Sequence, residues 1–157
     1  MAAELPEINK FNIRVYGIMI KDSRVLLVSE NMGEYSFTKF PGGGLEFGEG
    51  LTEGLKREIR EELDLETEII EHFYTTDYFQ RSAFYKNEQL ISVYYLINIF
   101  NLPDPRDFPI NRYLSGTHSL KFFWREIEKL EDSDVTFPVD KTIVNKIRDH
   151  YSRSILK

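Results

Sequence analysis

No cysteine occurs among the 157 residues, which rules out a disulfide framework and a thiol nucleophile. No apolar run is long enough to span a membrane as a helix. The first seven residues carry neither the basic nor the apolar region of a signal peptide, so a cytoplasmic home is expected. Basic side chains are in the minority, 20 against 26 acidic, for a net charge of −6. That balance argues against broad binding to nucleic acid and means that an anionic substrate needs local help from cations. Internal repeats, low-complexity tracts and linkers are also missing. The length suits one domain over residues 1–157 with a real core.

The patterns that are present alternate between strand and helix. Residues 11–16 alternate apolar with polar, as a half-buried strand does. Residues 21–24 read as a turn and 25–28 as a buried returning strand. Further strands are expected over 37–40, 66–78, 90–100 and 119–124, with a polar loop over 81–88. Pro103 and Pro105 make 101–107 an irregular loop. A helical turn follows over 126–130, and Asp140 is expected to cap a closing helix reaching about Tyr151, with Ile143, Ile147 and Tyr151 inward. Two helices set among strands imply an α/β architecture, a mixed sheet between helical layers.

The chemistry concentrates between Pro41 and Leu65. Leu51, Leu55, Ile59 and Leu63 recur every four residues and define one helix face. Glu58, Glu61 and Glu62 fall within an arc of roughly 100° at the border of that face, where an unpaired charge is costly. Like charges so close repel unless a positive group sits among them, and a hard divalent cation such as Mg²⁺ takes carboxylate and carbonyl oxygens. Before the helix, Pro41-Gly42-Gly43-Gly44 excludes a regular helix or a central strand and lets backbone approach an ion. Gly50 is the expected N-cap, with Glu53 completing a capping box in which glycine replaces Ser or Thr. A solvated helix stitched by i,i+4 pairs is the ordinary reading of residues 56–62 alone. The glycine loop, Glu49 and the fixed spacing turn the balance toward a metal site.

That spacing resembles the signature box of the Nudix hydrolases, G-x5-E-x7-R-E-U-x-E-E-x-G-U with U a bulky aliphatic. Gly43, Glu49, Arg57-Glu58-Ile59, Glu61-Glu62 and Leu65 match; Asp64 replaces the final glycine. That glycine ends the helix, often left-handed, a conformation Asp tolerates better than most residues. The resemblance implies an α/β/α sandwich with a central mixed sheet. It also implies hydrolysis, with Mg²⁺ or Mn²⁺, of a diphosphate bond in a nucleoside diphosphate linked to another group.

Roles carry over by position. Glu58 and Glu62 match the most constant metal ligands, Glu61 is a ligand or the base, and the Gly42 carbonyl matches a further ligand. Arg57 orients the glutamates, and with Glu58 and Glu61 makes up the expected catalytic group. Glu49 supports from outside that set. Many members add an acid near a late tryptophan. Residues 117–124 contain none, which leaves Asp104, Asp107 and Glu88 as candidates and His118 as a substitute. Lys39, Phe79 and Arg81 are the candidates for substrate contact. The expected partner is a small-molecule nucleotide, with no nucleic acid and no membrane, and with a homodimer open as the assembly. A non-catalytic nucleotide- or sugar-nucleotide-sensing domain is the alternative. The intact acids weigh against it, as the missing cysteine weighs against a prenyl-diphosphate isomerase.

Overall fold

The computed structural model describes residues 3–155 and orders them as an eight-stranded mixed sheet with one long helix on each face. In chain order the elements are β1 (Lys10–Lys21), β2 (Arg24–Met32), β3 (Tyr35–Lys39), β4 (Gly42–Gly44), α1 (Leu51–Leu63), β5 (Thr67–Thr75), β6 (Glu88–Ile99), β7 (Ile110–Ser115), β8 (His118–Glu126) and α2 (Pro138–Ile155). The main path runs β5-β6-β1-β2-β8-β7, with β3 added to β2 and β4 to β1. β1 runs parallel to β6 over Lys10–Met19, while the other pairs are antiparallel.

Alternation in the central strands builds the two cores. From β1 and β2, Val15, Met19, Leu26 and Val28 face α1, where they meet Leu55, Ile59 and Leu63. Tyr16, Ile18, Val25 and Leu27 face α2 and pack on Val139, Ile143, Val144 and Ile147. Strands covered on both faces read as near-continuous apolar runs, as 25–28 does. The expected sandwich of helix, sheet and helix is therefore the observed fold. No described helix is long and apolar enough to cross a membrane.

Several local expectations change. The triple glycine does form a strand: Gly42, Gly43 and Gly44 pair with Tyr16, Val15 and Arg14 of β1. Only glycine fits there, because a Cβ on Gly42 would lie 2.0 Å from the Val15 carbonyl oxygen. Gly50 is the N-cap of α1, yet no side chain caps it, so the capping box does not close. Asp64 ends α1 as anticipated, at φ 57° and ψ 36° with its N–H on the Arg60 carbonyl. The turn before β2 puts Asp22 and Ser23 both at positive φ, the geometry a two-residue hairpin prefers. Strand β7 was not expected. It pairs with β8 through a hairpin at Gly116. Helix α2 starts at Pro138, so Asp140 lies inside its first turn and bonds the Tyr94 hydroxyl instead of capping.

Candidate active site

Strand β4 and helix α1 bring the acidic edge onto the glycine backbone. Gly43 permits the contact, since a Cβ there would meet the Glu58 carboxylate at 2.6 Å. Arg57 organises the rest. Its Nε and Nη2 donate to both oxygens of Glu49 at 2.9 and 2.7 Å, the two-pronged geometry that makes guanidinium pairs strong. Nη2 also reaches the Gly44 carbonyl at 2.9 Å, while Nη1 donates to Glu58 at 3.1 Å and Glu61 at 3.2 Å. One guanidinium thus fixes the loop, the helix and two of the three acids. Glu49 also accepts the Glu46 N–H at 2.8 Å. The hydrogen bonds from Arg57, joined by that N–H, hold its pKa at about 2.

The remaining acids have unequal surroundings. Burial raises the pKa of Glu58, against the pull of Arg57 and Lys39. Burial acts more strongly on Glu62 and pushes it up to about 8, with Lys39 opposing and Glu58 reinforcing the shift. Glu62 is 8% exposed, and its Oε2 finds no hydrogen-bond partner among the described residues. A buried carboxylate oxygen in that state is expensive. Lys39 is buried beside it, with Nζ 2.7 Å from the Gly42 carbonyl and 3.4 Å from Glu30 Oε2. Glu30 Oε1 in turn lies 2.7 Å from His118 Nε2.

These groups line a cavity of about 690 Å³, within the range of ligand sites. Gly42, Glu58, Glu61, Glu62 and Lys39 all face it. Its far wall is aromatic: Phe84 packs edge-on against Tyr35 and Phe137, and Phe37 tilts against both phenylalanines. The cavity does not include Phe79 or Arg81. Phe79 lies largely in solvent, and Arg81 donates to the carbonyls of Pro6 and Lys86, which ties down the loop before β6. The candidate acids outside the box are also elsewhere. Asp104 pairs with Arg106, and Glu88 with Lys10 and Asn12, while Asp107 is absent from the lining.

Two acids from outside the box do face the cavity, Glu30 and Asp140; Asp140 is taken up by the Tyr94 hydroxyl, which leaves Glu30 beside Lys39. Glu30 shares the parity of Leu26 and Val28 on β2, which places it on one sheet face but marks no site by itself. Its neighbours Lys39 and His118 come from β3 and β8, and no local pattern announces that meeting.

Among the described residues, no three His, Asp or Glu side chains converge tightly enough to grip a metal unaided. The donor set nevertheless fits a hard divalent ion: the orphaned Glu62 oxygen, the Glu58 carboxylate and the Gly42 carbonyl border one cavity.

Comparison with known proteins identifies the family and the fold. A family model described as the NUDIX domain matches residues 10–143. No curated protein matches by sequence. Solved structures do. A MutT NUDIX hydrolase from Burkholderia pseudomallei shares 17% identity at a TM-score of 0.67, over 87% of this chain and 98% of that one. An ADP-ribose pyrophosphatase from Streptococcus suis shares 13% at 0.58, over 90% and 92%. A UDP-X diphosphatase shares 16% at 0.60, over 96% of this chain and 66% of that one.

Proposed function

This chain belongs to the NUDIX family of hydrolases acting on pyrophosphate bonds, and from that premise we propose that it cleaves a nucleoside diphosphate linked to another group. Water would attack phosphorus, and Glu58, Glu62 and the Gly42 carbonyl would hold Mg²⁺ or Mn²⁺ beside it. The observation that carries this reading is the buried Glu62 oxygen, which has no hydrogen-bond partner among the described residues and belongs to a residue lining the cavity. A divalent ion there would neutralise phosphate oxygens and make the attacking water more acidic.

The chain's own residues supply the rest. Arg57 holds Glu58 and Glu61 in fixed orientation, so little reorganisation is left for the reaction. Glu61 is the most exposed of the three acids and lines the cavity, which suits it to accept a proton from water. The aromatic wall offers faces for a planar base and excludes water around it. The similar structures described as acting on ADP-ribose and UDP-X support the same substrate class here.

The test is a panel of nucleoside diphosphate derivatives incubated with Mg²⁺, with Mn²⁺ or with EDTA, in ¹⁸O-labelled water. Cleavage of at least one compound is expected with either ion and none in EDTA, with label in one phosphate product. No turnover across the panel would leave the ligand-sensing alternative in its place.

A further inference from the structure

Resting on that reading, a further role emerges for Lys39. This side chain is 4% exposed, yet it carries its charge beside Glu30 and Glu62 rather than at the surface. Two of its contacts matter. Nζ donates to the Gly42 carbonyl at 2.7 Å, the oxygen proposed above as an ion ligand. Nζ also lies 3.4 Å from Glu30 Oε2, longer than the 2.7–2.9 Å of a fully formed charge-assisted bond. The pair with Glu30 is therefore stretched and can shorten. Glu30 is held in place from its other side by His118 at 2.7 Å.

We propose that Lys39 is a tethered counter-ion that occupies the ion site's electrostatic place, and that it retreats to Glu30 when a divalent cation takes the Gly42 carbonyl. Two positive centres sharing one carbonyl and one carboxylate cluster repel strongly in a buried setting. A lysine ammonium is a compact charge on a flexible stem, so a short retreat relieves the clash without moving backbone. Glu30 and His118 form the berth it retreats to. The consequence is that Lys39 weakens uptake of a lone cation and Glu30 restores part of that loss.

Isothermal titration with MnCl₂ and no nucleotide tests this, with circular dichroism to confirm folding. Lys39→Met should bind Mn²⁺ at least tenfold tighter than wild type. Glu30→Gln should bind it more weakly, and that loss should vanish when Lys39→Met is already present. If Lys39→Met does not fold, Lys39→Gln serves in its place. Equal or weaker binding by the lysine variant overturns the inference while leaving the metal site intact. An unchanged Glu30→Gln penalty in the double variant reduces the effect to charge counting and also overturns it. No uptake by any protein overturns this inference and the metal reading together.

Discussion

Arg57 shows how much one side chain decides. Lysine in its place would keep a positive charge but lose the planar fork. Glu49, Gly44, Glu58 and Glu61 could not all be held at once. Arg57→Lys should lower kcat by about 10- to 100-fold, as for groups that orient metal ligands, and cost about 1–2 kcal/mol in urea unfolding. A variant with unchanged kcat would remove Arg57 from the site. Gly43→Ala acts on the same acids from the other side, because its Cβ would sit 2.6 Å from the Glu58 carboxylate. Its kcat should fall at least about tenfold, the size of effect seen when groups supporting metal ligands are disturbed, with the fold retained by circular dichroism; wild-type turnover would contradict that. That Glu58, Glu61 and Glu62 share one edge was legible from helical spacing, while Arg57 was singled out only by the resemblance to the box. Glu30 was not legible, because a lone carboxylate in a strand has no spacing to give it away. Only the register that sets β2 against β3 and β8 surrounds it with Lys39 and His118.

The ends and edges of elements were read less well than their centres, for reasons that differ. Helix α1 was clear from its apolar repeat, and its left-handed end at Asp64 from residue type. Asp64→Gly should relieve the side-chain cost of φ 57°. Weighed against the extra freedom glycine brings to the unfolded chain, stability should rise by a few tenths to about 1 kcal/mol in urea melts. A loss of stability would mean that the Asp64 side chain supports the helix end in another way. Strand β4 was hidden because three glycines carry no side-chain alternation, so pairing with β1 is decided by backbone alone. Strand β7 was hidden because its residues lie mostly in solvent at the sheet edge. Asp140 looked like a cap, but the proline two residues earlier is the natural first residue of a helix and starts α2 there.

The whole molecule places its two cores on opposite faces of the sheet, and residues of β1 to β4 contribute to the lining of the cavity. Asp140 connects the cavity to α2 and gives the fold a pH dependence. Burial raises its pKa from 3.8 to about 6, although the Tyr94 hydroxyl and Lys39 favour its charged form. Between those values the folded chain holds a proton that the unfolded chain has released. Stability should therefore be highest at the acidic end of that window and fall as pH rises through it, by at most about 3 kcal/mol from this group. Urea melts from pH 4 to 7 should show that slope reduced in Asp140→Asn; equal slopes would assign it to other groups. The layered fold was legible because 25–28 is apolar throughout and the flanking helices are not. The aromatic wall was not, since Tyr35, Phe84 and Phe137 come from three distant segments that meet only in the folded chain. The most direct measurement of the central claim is hydrolysis of a nucleoside diphosphate derivative against Mg²⁺ concentration, in wild type and Glu62→Gln side by side. Wild type should rise from no turnover in EDTA to a saturating rate, with Glu62→Gln lower by roughly a hundredfold or more. Turnover that persists in EDTA, or a Glu62→Gln curve overlying the wild-type one, would contradict it.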